Sequence, residues 1–317
     1  MRPLLTLLLF CFTLPALAQD ASLLAHWQYD RRAPLDIRQE KTSKRGDIRI
    51  QDITYASPKG GRVPAYLVVP PGKGPFPAII WGHWYWASSA FANRNEFLDE
   101  AILLARSGVA SLLISGPIAR PGYVQPKSPF TDQATEYLVQ EVVDMRRGID
   151  LLLARKDIDP MRIAYVGHSY NASVGGILSG VDKRFAAFVL MAGSLSDEAD
   201  LKTKTFQNIR NRMGPEKFDP IIANYSWADP GKYVSHAAPA PVFLQYASRE
   251  DFLNPEQAKQ YFAVVSEPKQ MKIYDAPHAL NAAARADRIH FLAEKLSFKM
   301  PTTEAIASVP DLPQPEK

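Results

Sequence analysis

Apolar residues in this chain gather into short runs divided by turn signals, and the spacing within the runs changes along the sequence. Ile48, Ile50 and Ile53 stand among polar residues up to Tyr55, which predicts a half-buried strand. Ser57-Pro58-Lys59-Gly60-Gly61 is a turn signal, and Val63 to Val69 reads as a second strand, so the two predict a hairpin. Pro70 to Pro75 is a loop. Phe76 to Trp81 and Val109 to Ile114 are unbroken apolar runs, the pattern of strands buried on both faces. Between them a helix is expected from Asn93 to Arg106, stopped by Gly108. Leu138, Val142, Met145, Ile149 and Leu152 recur at spacings of four and three, one face of a long helix over Thr131 to Ala154. Arg162 to Val166, Phe185 to Met191, Pro241 to Tyr246 and Met271 to Tyr274 complete the strands, and Asn281 to Leu296 is the last helix.

A hairpin followed by alternating strands and helices predicts an α/β fold, with a mostly parallel sheet of about eight strands covered on both faces. The alternation lapses between Met191 and Pro241, over about fifty residues, too long for a plain connection. Helical pieces at Asp197 to Arg212 and Pro220 to Trp227 make this a small cap insertion, 195–238, over one edge of the sheet. The organisation expected is an arm over 19–47, a main domain over 48–298 with that cap, and a loosely ordered tail over 299–317.

The first residues read differently. Arg2, the apolar stretch Leu4 to Leu14 and Ala16-Leu17-Ala18 have the order of a cleavable signal peptide over 1–18. Cys11 is the only cysteine, so the mature chain would carry no thiol and no disulfide. Export without disulfides suits a bacterial periplasm or the medium. The net charge of +4 is spread among acids with no basic block, which argues against a nucleic-acid partner. No later apolar run is long enough to span a membrane. His26, His236 and His290 have no partners at metal-ligand spacing, so neither a metal nor another cofactor is implied. The oligomeric state is not legible.

The chemistry centres on Gly167-His168-Ser169-Tyr170-Asn171, between the apolar run Ile163 to Val166 and the small residues Ala172 to Gly176. Strand, sharp turn and helix in that order form a nucleophile elbow, G-x-S-x-G, with Asn171 in place of the last glycine. A serine hydroxyl needs a general base, and His278 follows the last strand. The base needs a carboxylate to orient it. Asp251, after the preceding strand, is favoured, with its neighbour Glu250 as the main rival and Asp275 a weaker one. The chain order Ser169, Asp251, His278 resembles that of the α/β-hydrolase superfamily. The resemblance covers 48–298 and is to the branch of dienelactone hydrolases, acetyl xylan esterases and prolyl-oligopeptidase-like enzymes. Its marks are Arg62-Val63-Pro64-Ala65-Tyr66-Leu67, Gly74-Pro75-Phe76-Pro77-Ala78-Ile79-Ile80, and Met145 to Leu152 before the elbow strand.

The resemblance implies a serine hydrolase acting on a small-molecule carboxylic ester, and the signal peptide implies its export. It places oxyanion donors at the backbone N–H of Tyr170 and in the loop after the third strand. There the superfamily often has His-Gly and this chain has Trp81-Gly82-His83-Trp84, which points to the Trp84 N–H, with His83 as the alternative. His83 either lines the pocket or fixes its loop by a hydrogen bond. Trp84, Tyr85 and Trp86 either pack or form a stacking platform for a planar or sugar-like substrate. Arg120, after the fourth strand, either grips a substrate carboxylate or lies in solvent. Two rivals remain open: a small serine exopeptidase, and an inactive binding protein in which Asn171 reports a lost site.

Overall fold

The computed structural model describes residues 20–86, 88–250 and 253–313. The signal-peptide segment lies outside them. So do Ala87, Asp251 and Phe252.

The chain builds one nine-stranded sheet in the order β1-β2-β3-β5-β4-β6-β7-β8-β9. After the short helix α1 (Ala21–Ala25), β1 (Arg38–Arg45), β2 (Ile48–Ala56) and β3 (Arg62–Val69) form an antiparallel meander. Next come β4 (Phe76–Gly82), α2 (Leu98–Arg106), β5 (Ala110–Ile114), α3 (Asp132–Leu153), β6 (Ile158–His168), α4 (Tyr170–Val181) and β7 (Ala187–Met191). β3 joins β5 antiparallel, and every pairing from β5 to β9 is parallel.

The segment between β7 and β8, expected to form a cap, carries α5 (Asp197–Leu201), α6 (Lys204–Met213), α7 (Pro215–Tyr225) and α8 (Gly231–Val234). Then follow β8 (Val242–Ala247), α9 (Pro255–Val264), β9 (Lys269–Tyr274), α10 (Ala282–Leu296) and α11 (Thr303–Ala307).

All seven residues of β4 and all five of β5 are buried, as their unbroken apolar runs require. Alternate residues feed the two faces. Ile80 and Tyr165 join Val142, Met145 and Ile177 of α3 and α4; Ile79, Trp81 and Val166 join Leu104 of α2 and Leu292 of α10.

The sheet has nine strands where about eight were expected. The additional one, β1, falls in the expected arm. Every residue of β1 is exposed, so it has no apolar rhythm to betray it. It is held by its ladder to β2, and its lysines and arginines discourage further strands from adding to the edge. The rest of the arm is strapped to α3: Arg146 donates to the Trp27 carbonyl, Arg147 to those of Arg31 and Ala33, and Trp27 is fully buried. In the tail, expected to be loosely ordered, α11 is docked by Arg285, which donates to the carbonyls of Val309 and Pro310 and pairs with Asp311.

Candidate active site

Parallel strands deliver their C-terminal ends to one edge of the sheet, where ligands bind in open α/β folds. β6 ends there at His168, and Ser169 follows with φ +54° and ψ −116° before α4 begins. A non-glycine residue in the left-handed region is strained and persists only when its surroundings enforce it. The Ser169 N–H is fixed to the Met191 carbonyl at 2.7 Å. Two glycines make room for the turn. A Cβ on Gly167 would lie 2.1 Å from the Asn171 carbonyl oxygen, and one on Gly193 would lie 2.5 Å from the Ala172 Cβ. Neither contact is tolerable, so the elbow needs glycine at both positions.

Ser169 opens into a cleft of about 940 Å³ together with His278 and Glu250. Tyr85, Trp86 and Tyr170 line it from the sheet side, Asp200 and Phe206 from α5 and α6, and Asn254 and Gln257 from the start of α9. His278 Nδ1 hydrogen-bonds a Glu250 carboxylate oxygen. The Glu250 side chain is fully buried.

Among the described residues, the carboxylate at the histidine ring is that of Glu250; Asp251, the acid expected there, lies outside them. Two backbone bonds explain the placement. Ser248 N–H reaches the Tyr274 carbonyl and Arg249 N–H that of Ala276, so the chain stays zipped to the loop leading to His278 through residue 249. Glu250 is the next residue, beside the ring. Asp275, the weaker rival, instead pairs with Arg249 at the surface.

No protein-family model matches the chain. A polyketide transferase, ATR5 of Stachybotrys chlorohalonatus, is 22% identical, over 70% of this chain and 90% of that protein. Among solved structures, an acetyl xylan esterase from Paenibacillus sp. R4 superposes with a TM-score of 0.70 at 20% identity, over 89% of this chain and 97% of its own. Acetyl xylan esterase 1 from Thermoanaerobacterium sp. JW/SL YS485 gives 0.66 at 16% identity, over 86% and 91%. The fold is that of the α/β hydrolases.

In this α/β-hydrolase scaffold the loop after β4 is fixed differently from the sequence-based expectation. The Trp84 N–H, expected to face the oxyanion, donates to Glu96 Oε2 at 2.5 Å inside the protein. It is therefore spent. The Tyr85 N–H, one residue on, makes no hydrogen bond among the described residues and belongs to a residue lining the cleft. Tyr170 heads α4, where the first N–H groups lack intrahelical acceptors.

His83 takes the loop-fixing role rather than the pocket-lining one. Its Nε2 accepts from the Gly116 N–H at 3.0 Å, so Nδ1 carries the hydrogen and donates to the Trp84 carbonyl at 2.6 Å. Burial pushes its pKa down to about 4, in keeping with a neutral ring. Tyr85 and Trp86 do line the cleft, whereas Trp84 is fully buried and stacks on the His168 and His278 rings.

Arg120 is largely buried and does not line the cleft. It turns inward to an ion pair with buried Asp144 at 2.7 Å, close but not aligned as a hydrogen bond, while its Nε donates to the Ser115 carbonyl. Asn171 does not leave its amide stranded. Its Nδ2 donates to the His83 carbonyl at 2.7 Å, and its Oδ1 accepts from the Tyr165 hydroxyl at 3.2 Å. The residue that departs from the elbow pattern thereby ties the elbow to the β4 loop.

Glu141 of α3 lies below this network. Its side chain is buried, and neither carboxylate oxygen has a hydrogen-bond partner among the described residues. Burial, opposed by Arg120 and reinforced by Asp144, raises its pKa to about 8. The folded chain keeps this proton up to about pH 8, whereas an unfolded chain releases it near the ordinary 4.5. The stability it contributes is thus fully present below pH 4.5 and is lost as pH rises through 8. A glutamine at this position would not titrate. The melting temperature of Glu141→Gln, relative to the parent chain, is therefore expected to climb between pH 5 and pH 8.5. Thermal unfolding across that range checks it, and parallel curves would refute the burial argument.

Sequence patterning had no access to Glu96 or Glu141, because a lone acid inside a helical stretch looks like a solvated face. Nor did it assign His168 a contact, though a histidine immediately before a nucleophile was a signal worth following.

Proposed function

We propose that this chain is a serine hydrolase that cleaves carboxylic esters through an acyl-enzyme. The observation that carries the reading is the bond from His278 Nδ1 to buried Glu250, with Ser169 in the same cleft. A carboxylate on Nδ1 holds the hydrogen there and leaves Nε2 as the base. Ser169 Oγ attacks the ester carbonyl while His278 takes its proton, and Glu250 stabilises the imidazolium. The N–H groups of Tyr170 and Tyr85 receive the oxyanion, helped by the positive end of α4. His278 then returns the proton to the leaving alcohol. Water, deprotonated by His278 in turn, releases the acid and restores Ser169.

The esterases among the structural neighbours support the ester reading, and they make an acetylated sugar the first substrate to try. The aromatic and amide side chains Tyr85, Trp86, Phe206, Asn254 and Gln257 suit a polar, ring-shaped alcohol portion. The signal-like segment at 1–18 supports export. No helix among the described residues is long and apolar enough to cross a membrane.

The test pairs p-nitrophenyl acetate and acetylated sugars with p-nitroanilides of the same acyl groups and of short peptides. Ester turnover is expected to exceed amide turnover by at least about 10³-fold in kcat/KM, since an alkoxide leaves far more readily than an amide anion. Preferential cleavage of peptide amides would favour the exopeptidase alternative, and no turnover of either would favour the binding-protein alternative.

A further inference from the structure

Behind the cleft, Glu96 and His168 form a carboxylate–imidazole pair that the mechanism above does not use. Both side chains are wholly shut off from solvent. Glu96 Oε1 and His168 Nδ1 are 2.5 Å apart, while Glu96 Oε2 accepts the Trp84 N–H. On its far side, His168 Nε2 lies 3.0 Å from the carbonyl oxygen of His278. A carbonyl can only accept, so Nε2 carries a hydrogen. The 2.5 Å contact on its other side needs one hydrogen between Nδ1 and Glu96 Oε1. The Trp84 ring stacks on His168 at 5.2 Å, and the His168 ring stacks on His278 at 5.2 Å.

This wiring reaches three parts of the site at once. His168 is covalently next to Ser169. Its Nε2 holds the backbone of His278. Glu96 takes the Trp84 N–H into the interior and leaves the Tyr85 N–H as the next donor along the loop. A buried pair kept only for stability would be replaceable by apolar side chains at little cost. Here every polar atom is committed to the backbone of the β4 loop, to the backbone of the base or to the partner within the pair.

We propose that Glu96 and His168 are a positioning pair for ester cleavage at Ser169, setting which β4-loop N–H faces the oxyanion and fixing the backbone of His278. The inference rests on the assignment of Ser169 and His278 above. Positioning errors of an ångström cost about 10²-fold, and loss of one oxyanion donor costs about 10²- to 10³-fold in kcat. Glu96→Ala is therefore expected to lower kcat for p-nitrophenyl acetate by about 30- to 300-fold with KM within about threefold. Glu96→Gln should hold kcat within about fivefold of the parent, because its carbonyl can accept from Trp84 and its NH₂ can donate to His168 Nδ1.

Steady-state kinetics well below each variant's melting temperature decide it. The rescue by glutamine and the split between kcat and KM are not expected of a residue that merely stabilises the fold. Unchanged kcat in Glu96→Ala, glutamine no better than alanine, or a loss confined to KM would overturn the proposal. Should Glu96→Ala not fold, His168→Gln against His168→Asn replaces it. Glutamine extends to the Nε2 position and can still bond the His278 carbonyl; asparagine stops at Nδ1. At least about tenfold higher kcat for glutamine supports the proposal, and equal kcat overturns it. A parent chain inert to every ester and to a fluorophosphonate would overturn the ester-hydrolase assignment and the pair's role together, whereas an active parent with an equally active Glu96→Ala overturns the pair's role alone.

Discussion

Ser169→Ala is expected to lower kcat for a short p-nitrophenyl ester by at least about 10⁴-fold, leaving the melting temperature within a few degrees. The size follows from the division of labour at the elbow. Without Oγ there is no acyl-enzyme, and only the oxyanion donors and binding remain to favour attack by water. The small effect on folding follows from the geometry. The elbow is held by the Ser169 N–H on Met191 and by the two glycines, none of which involves the hydroxyl. Initial rates with matched thermal unfolding check both halves. Near-parental rates in the alanine variant would remove Ser169 from the reaction.

Glu250→Gln is expected to cost about 10³- to 10⁴-fold in kcat, while Asp251→Asn costs less than about tenfold. A glutamine can turn its NH₂ towards His278 Nδ1. The ring then carries its hydrogen on Nε2, the tautomer that cannot take a proton from Ser169. It also loses the buried negative charge that steadies the imidazolium. The effect should fall on kcat rather than KM, since the carboxylate meets the histidine and not the substrate. Side-by-side kinetics of the two variants decide between these neighbouring acids, and a larger loss in Asp251→Asn would restore the acid favoured on sequence grounds.

Those neighbouring acids mark where the sequence stopped being informative. Strands β2 to β9 were legible because each carries an apolar run or an apolar–polar alternation. β1 was not, because its eight side chains are all exposed and carry no apolar rhythm. Ser169 and His278, which line one cleft, could be singled out because chemistry-bearing residue types stood directly after strands. The acid was less legible: Asp251 was favoured over Glu250 and Asp275 on position alone, and hydropathy does not say which carboxylate turns to the ring. Trp84 and Arg120 depended on partners far along the chain. Glu96 captures the Trp84 N–H from 12 positions away, and Asp144 draws Arg120 inward. Neither partner has a local signature. The departure at Asn171, which raised the possibility of a lost site, is accounted for by its bonds to the His83 carbonyl and the Tyr165 hydroxyl.

The central claim is that Ser169 is a nucleophile activated by His278. Peptide mapping by mass spectrometry after treatment with a fluorophosphonate addresses it most directly, because that reagent captures activated serines. A single stoichiometric adduct on Ser169, lost in Ser169→Ala and slowed by at least about 10³-fold in Glu250→Gln, is the result expected of this triad. An adduct on another residue, or no adduct on a chain that still hydrolyses p-nitrophenyl acetate, would contradict it.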